Sequence, residues 1–474
     1  MKRWLKIGLI GIGVILVVAV AAAAWFFSKA APIGAGFTAK YLCSSTFISQ
    51  RDPQIVFQED VAPINPLFST VAWQVNRDRK TVSADYFGLF NATAIYREGC
   101  GCSLVVGTTA EKMRQQTFYK QPAEYVKPAR RNNLVWPEGS GGAVDPASLG
   151  IDPAALKKAL DGAFAEPGPA EPKKTRAVIV IYNGRMVAER YAPGFDKDMP
   201  LLGWSMSKSV TNALVGIQVK NRLQDINAPA PVAEWQKPGD PRREITLDQL
   251  LRMCDGLKFE EIYGPLRDVT DMLYGSYDYA AYTAAKPLGV KPDTQWNYSS
   301  GTANIIARIV RQAAEKKHPQ YYSFIRSELF DKIGMYSAVM EPDASGTFVG
   351  SSYTFATPRD WARFGLLYLQ DGIWQGKRIL PEGWVEYTTK PTPQAPRGEY
   401  GALFWLNAGS PSDPKDRRWP SAPRDGFTAS GFQEQKVIII PSKKLVLVRF
   451  GATTDRKAWN SDEFIANVLA ALPN

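Results

Sequence analysis

One unbroken apolar run, Ile7 to Phe27, stands out from a chain that otherwise alternates short apolar stretches with turn residues. It carries no charge over about 21 positions, roughly 31 Å as a helix, which matches the hydrocarbon core of a bilayer. Lys2, Arg3 and Lys6 precede it, so a spanning helix keeps its amino end in the cytoplasm. A cleaved export signal is the rival reading, with Ala21 to Ala24 as small cleavage residues. The run exceeds the roughly 7–15 apolar residues of such a signal, which favours an uncleaved anchor over residues 1–32. Either reading exports the remainder, to the periplasmic or extracellular side of a bacterial-type inner membrane.

Beyond the anchor, residues 33–107 are rich in β-formers, and Thr70–Val75 and Ala92–Tyr96 read as strands of a small appendage. Residues 108–150 lack periodicity; Pro122, Pro128, Arg130-Arg131 and Gly139–Gly142 mark a connector. A large domain, 151–474, opens at Asp152-Pro153, an N-cap with proline at the first helical position, followed by a helix to about Phe164. Ala177–Tyr182 and Met186–Arg190 flank Asn183-Gly184, a strong hairpin signal. Lys436–Ile440 and Leu445–Phe450 form a second hairpin, and a helix from Ser461 to about Leu472 closes the chain. Strands at both ends around a mostly helical middle predict an α+β fold. Its antiparallel sheet is flanked by helices and joined to a helical subdomain.

Composition narrows the chemistry. The net charge of +11 is spread along 474 residues with no nucleic-acid motif, so nucleic acid is not an expected partner. Cys43 can pair with Cys100 or Cys102 in an oxidising compartment, and spacing does not choose between them. Cys254 reads as a small buried hydrophobe. His318 is the single histidine, in a polar run, which argues against a Ser-His-Asp triad or a multi-histidine metal site. Neither metal nor cofactor is expected.

Lysine is the base that remains. Ser205-Met206-Ser207-Lys208 is followed by an apolar stripe, Val210, Ala213, Leu214 and Ile217, at helical spacing. Ser205 therefore falls at the first turn of a buried helix, with Lys208 one turn along the same face. The helix amino end favours a developing oxyanion, and a partly desolvated lysine can take the serine proton. The plain alternative is an N-cap serine and an exposed first-turn lysine. Ser412-Asp413-Pro414-Lys415 has the same spacing, but in a loop with nothing to hold its geometry.

Leu202–Ser209 resembles the nucleophile motif of the serine β-lactamase-like superfamily, which includes class C β-lactamases, penicillin-binding proteins, esterases and 6-aminohexanoate-dimer hydrolases. Ile245–Met253 with Gly256-Leu257, then Trp296–Gly301 and Ala429-Ser430-Gly431, resemble its later motifs in the expected order. The resemblance covers about Ile151 to the end. It implies Ser205 as acylated nucleophile, Lys208 as its proton partner, and Tyr298 as a general base-acid with its phenol turned toward both. It also implies an oxyanion hole from the backbone of Ser205 and of about Phe432, and substrate contacts from Ser300, Ala429, Ser430 and Gly431. Phe259–Tyr263 resembles a site-lining loop of the 6-aminohexanoate-dimer hydrolases, which makes Tyr263 a further substrate contact.

Two departures shape the expected substrate. Ala429 stands where relatives carry Lys or His, and Ser300 where penicillin-recognising enzymes carry Asn. Both point to a small-molecule or peptide ester or amide rather than a β-lactam. A cell-wall D,D-peptidase or β-lactamase is the second enzyme reading. An inactive envelope-binding relative is the third, ranked last because Ser205, Lys208 and Tyr298 are all present. Asn91 and Asn297 both match a glycosylation sequon; the match at Asn297 is read as coincidental, because a glycan there would obstruct the site.

Overall fold

The structure, a computed structural model, describes residues 2–116, 134–168, 172–317, 321–413 and 415–473. Pro122, Pro128, Arg130, Arg131, His318 and Pro414 lie outside the described residues. Helix α1 spans Lys2–Phe47 with Pro32 inside it. It runs past the boundary at residue 32 because a second apolar face begins there. Ala31, Ala35, Ala39 and Leu42 recur at helical spacing and are buried, whereas the side chains from Leu9 to Phe26 are exposed. The first fifth of the expected appendage, residues 33–47, is thus helix.

That docked half of α1 packs on a four-stranded antiparallel meander: β1 (Ala72–Asn76), β2 (Thr81–Asp85), β3 (Ala92–Arg97) and β4 (Gly101–Leu104). Val82, Ala84, Ala94 and Leu104 meet Ala35, Ala39 and Leu42 in one core. A Cys43–Cys102 disulfide ties the helix to β4, leaving Cys100 a buried thiol pushed up by that burial. Cys254 is likewise buried, its thiol pushed up to about 12 by desolvation.

The large domain begins with α2 (Pro153–Phe164), whose first turn is capped by Asp152 through the amides of Ala154 and Ala155. A six-stranded antiparallel sheet joins both ends of the domain. In chain order its strands are β5 (Thr175–Tyr182), β6 (Arg185–Tyr191), β10 (Trp405–Leu406), β11 (Phe427–Gly431), β12 (Gln435–Ile440) and β13 (Leu445–Gly451). In space the order is β10-β11-β12-β13-β5-β6. Between them lies a small sheet of β7 (Leu201–Leu202), β8 (Val339–Met340) and β9 (Thr354–Ala356).

Alternation along the strands separates two layers. Val178, Val180, Ile438 and Leu447 face α2 and the closing helix α6 (Ser461–Ala471). Ile179, Val437, Val446 and Val448 face the opposite core. That core holds α3 (Met206–Lys220), α4 (Ser300–Glu315) and α5 (Pro358–Leu369). The expected α+β architecture is present, with antiparallel sheets and helices on both faces.

α1 is locked onto this domain by polar contacts as well. Lys40 pairs with Glu341 in the core, and Ser44 and the Cys102 amide also donate to that carboxylate. Asp60 receives Arg51, Arg176 and the Tyr41 hydroxyl, and the two guanidiniums hold its acid below the usual range against the opposing effect of burial. Buried charges survive only when paired in this way.

Candidate active site

Ser205 precedes α3 in helical conformation, with a side chain that caps nothing. Its hydroxyl is therefore not spent on the helix. Trp204, just before it, takes a positive φ of 49°, a strained conformation for a bulky residue. Packing fixes the bend: Trp204 stacks on Tyr41 and Phe37 of α1 at ring-centroid distances of 5.9 and 6.4 Å. Gly203 is required because a Cβ would lie 2.5 Å from the Trp361 ring.

Lys208 is 1% exposed, and its Nζ donates to Ser205 Oγ at 3.1 Å, Ser300 Oγ at 3.0 Å and the Ser351 carbonyl at 3.2 Å. All three ammonium protons thus have acceptors. The alternative of an exposed lysine is excluded by this burial. Ser300 in turn donates to Glu261 Oε1 at 2.5 Å, and its amide donates to Glu261 Oε2 at 2.7 Å. Burial raises the Glu261 acid above the ordinary carboxylate range, opposed by Lys208 and Ser300. A continuous hydrogen-bonded chain therefore runs Ser205–Lys208–Ser300–Glu261.

Tyr298 lies at the same site in a different attitude from the expected one. Lys208 Nζ sits over its ring, 4.6 Å from the centroid, rather than on its hydroxyl. Trp405 and Tyr400 hold the ring at centroid distances of 5.1 and 5.8 Å, and Trp296 packs on both. Tyr263 is 55% exposed as a residue, with Glu261, Tyr274 and Tyr298 near its phenol. The structure thus brings Ser205, Lys208, Tyr298, Ser300 and Tyr263 together.

Of the third motif, Gly431 reaches the turn that precedes Ser205. A Cβ there would lie 2.1 Å from the Gly203 carbonyl and 3.1 Å from Trp204 Cβ. Phe432 follows at once, its ring edge-on to Trp204 at 5.5 Å. Ala429 is fully buried in the sheet core. Ser430 pairs across the strands with Lys436, whose Nζ donates to its hydroxyl at 2.6 Å. A cation therefore does stand next to this motif, supplied by β12. Burial brings Lys436 down to about 8, opposed by Glu434.

Sequence reasoning missed Glu261, the Ser351 carbonyl, Trp405 and Lys436. Glu261 lay inside the quoted loop, but a single loop carboxylate carries no periodicity to mark it as buried. Lys436 becomes visible only through strand register. Among the described residues, no group of three or more His, Cys, Asp or Glu could hold a metal ion.

Comparison with known proteins finds relatives of the same fold. A 6-aminohexanoate-dimer hydrolase of Paenarthrobacter ureafaciens is 23% identical over 310 residues, 59% of this chain and 73% of the relative. Two solved structures share the fold. A family VIII carboxylesterase has TM-score 0.51 and 15% identity, covering 70% of this chain and 98% of that one. A penicillin-binding protein homologue from Caulobacter crescentus has TM-score 0.51 and 14% identity, covering 70% and 99%. The model of the Beta-lactamase family matches residues 171–471, a span that contains Ser205, Lys208, Glu261, Tyr298 and Gly431, and the chain belongs to that family.

Proposed function

We propose that this chain is a membrane-anchored serine hydrolase that cleaves an ester or amide through an acyl-enzyme on Ser205. The carrying observation is the fully buried Lys208 amine, 3.1 Å from a Ser205 hydroxyl that no helix cap occupies. The apolar, exposed part of α1, with mean hydropathy 2.7 over its most apolar window, supports the anchor.

The chain from Lys208 to Glu261 supplies a route for making the base. One proton passes from Lys208 to Ser300 as the Ser300 proton passes to Glu261, leaving a neutral amine. That amine takes the Ser205 proton as Oγ bonds to the substrate carbonyl carbon. The oxyanion is met by the amides of Ser205 and Phe432. Collapse breaks the bond to the alcohol or amine, which departs with the proton from Lys208. Water then adds to the acyl-enzyme, Lys208 takes its proton, and Ser205 leaves with that proton while the carboxylic acid is released. Tyr263 and the aromatic wall around Tyr298 contact the substrate.

Turnover of a water-soluble aryl acetate tests the assignment. Ser205→Ala and Lys208→Ala are expected to lower kcat by about 10³-fold or more. Retention of activity in either variant would refute it. A carboxylate-bearing substrate, as in a cell-wall peptide or β-lactam, is a second reading that Lys436 beside Ser430 favours. Stable acylation by a fluorescent penicillin would support it; absence of labelling would count against it.

A further inference from the structure

α1 leaves no flexible spacer between its exposed apolar half and the site. Phe27 closes the apolar run, and Phe37, ten residues on and about 15 Å along the helix, already stacks on Trp204. The nucleophile is therefore held at a fixed, short height above the end of the membrane-spanning segment. Two further segments sit at the level of that end. The Tyr86–Phe90 loop packs on Phe27, with ring centroids 5.7 Å (Tyr86), 6.0 Å (Phe87) and 5.7 Å (Phe90) away. Yet Phe87 and Leu89 are 76% and 74% exposed.

The second segment is the site's own rim. Gly36 packs on Tyr274, and Lys29 lies close enough to Asp271 to oppose the rise that burial and Asp268 impose on its acid. Asp271 and Tyr274 belong to the helix Asp268–Gly275, whose amino end thus points toward the Phe27 end of α1. The loop feeding that end carries Tyr263 into the site and leaves Ile262 and Leu266 exposed. Exposed apolar residues therefore occur on the unburied face of α1, at Phe87 and Leu89 beside its Phe27 end, and at Ile262 and Leu266 on the rim of the cleft. Exposed apolar side chains grouped at one level mark a surface that is covered in use, and the contact of the Tyr86–Phe90 loop with Phe27 at the end of the apolar run points to the bilayer as the cover.

We propose that the cleft opens against the bilayer surface and takes an ester or amide whose acyl or alkyl portion resides in the membrane. Tyr86–Phe90 and Ile262–Leu266 serve as a second, shallow contact with lipid. This inference rests on the serine-hydrolase reading above and on α1 remaining as an anchor. Aromatic and aliphatic side chains at the headgroup level suit that placement.

The test uses the full chain in nanodiscs of phosphatidylethanolamine and phosphatidylglycerol. Two substrates are compared, a water-soluble aryl acetate and a long-chain umbelliferyl ester dissolved in the bilayer. The combined substitution Phe87→Ser, Leu89→Ser and Leu266→Asn is expected to leave acetate turnover within about two-fold and to cut bilayer-ester turnover by about ten-fold or more. The retained acetate activity doubles as the check on folding. Equal losses on both substrates, or no loss on the bilayer ester, would overturn the inference. Wild-type protein that hydrolyses acetate but not the bilayer ester overturns it too, and leaves the hydrolase reading standing. Protein that hydrolyses neither refutes that reading itself.

Discussion

In the proposed mechanism, the chemistry at Lys208 depends on Glu261, which accepts hydrogen bonds from both the hydroxyl and the amide of Ser300. An enclosed carboxylate beside a serine and a lysine can hold a proton at a pH where a surface glutamate cannot. Its acid is raised, so the ionised form needed to draw a proton from Lys208 accumulates only as pH rises through that raised value. The rate should climb with pH across that range. Glu261→Gln is expected to lower kcat about 10- to 100-fold and to abolish this acid limb in the kcat profile. An unchanged limb in the glutamine variant would assign it to another group. Ser205 and Lys208 were legible because a nucleophile and a base one helical turn apart, ahead of an apolar stripe, form a local pattern. Glu261 belongs to no such pattern and is made by the fold.

At the scale of elements, α1 and the Ser205 turn act as one unit. The strained Trp204 backbone is held by stacking against Phe37 and Tyr41, and Phe37 also stacks on Phe68 at 5.1 Å. Phe37→Ala is therefore expected to cost about 3–5 kcal/mol by opening a cavity, and to lower kcat more than it raises KM. Thermal unfolding together with steady-state kinetics checks both. Loss of stability with kcat untouched would reduce α1 to a structural prop. The hairpins at Asn183-Gly184 and Pro441–Lys444 were readable because turn chemistry is local, and the observed strands match them. The helical state of residues 33–47 was not legible, because Pro32, which ordinarily ends a helix, lies inside α1.

At the scale of the molecule, the two ends of the large domain meet in one sheet, and α1 meets the turn that carries Ser205. Neither closure is local, so only the first was inferable, from strands at both termini around a helical middle. The disulfide partner of Cys43 shows the same limit, since Cys100 and Cys102 differ by one position on either side of Gly101 and only strand geometry selects Cys102. Cross-strand register likewise delivers Lys436 to the motif whose own position 429 is alanine. The central claim is that Ser205 is the nucleophile Lys208 activates. Intact-mass and peptide mapping after treatment of the full chain with a fluorophosphonate tests it most directly. The account predicts a single adduct on Ser205, formed much more slowly in Lys208→Ala and absent in Ser205→Ala. An adduct elsewhere, or equal labelling of the Ser205→Ala protein, would contradict it.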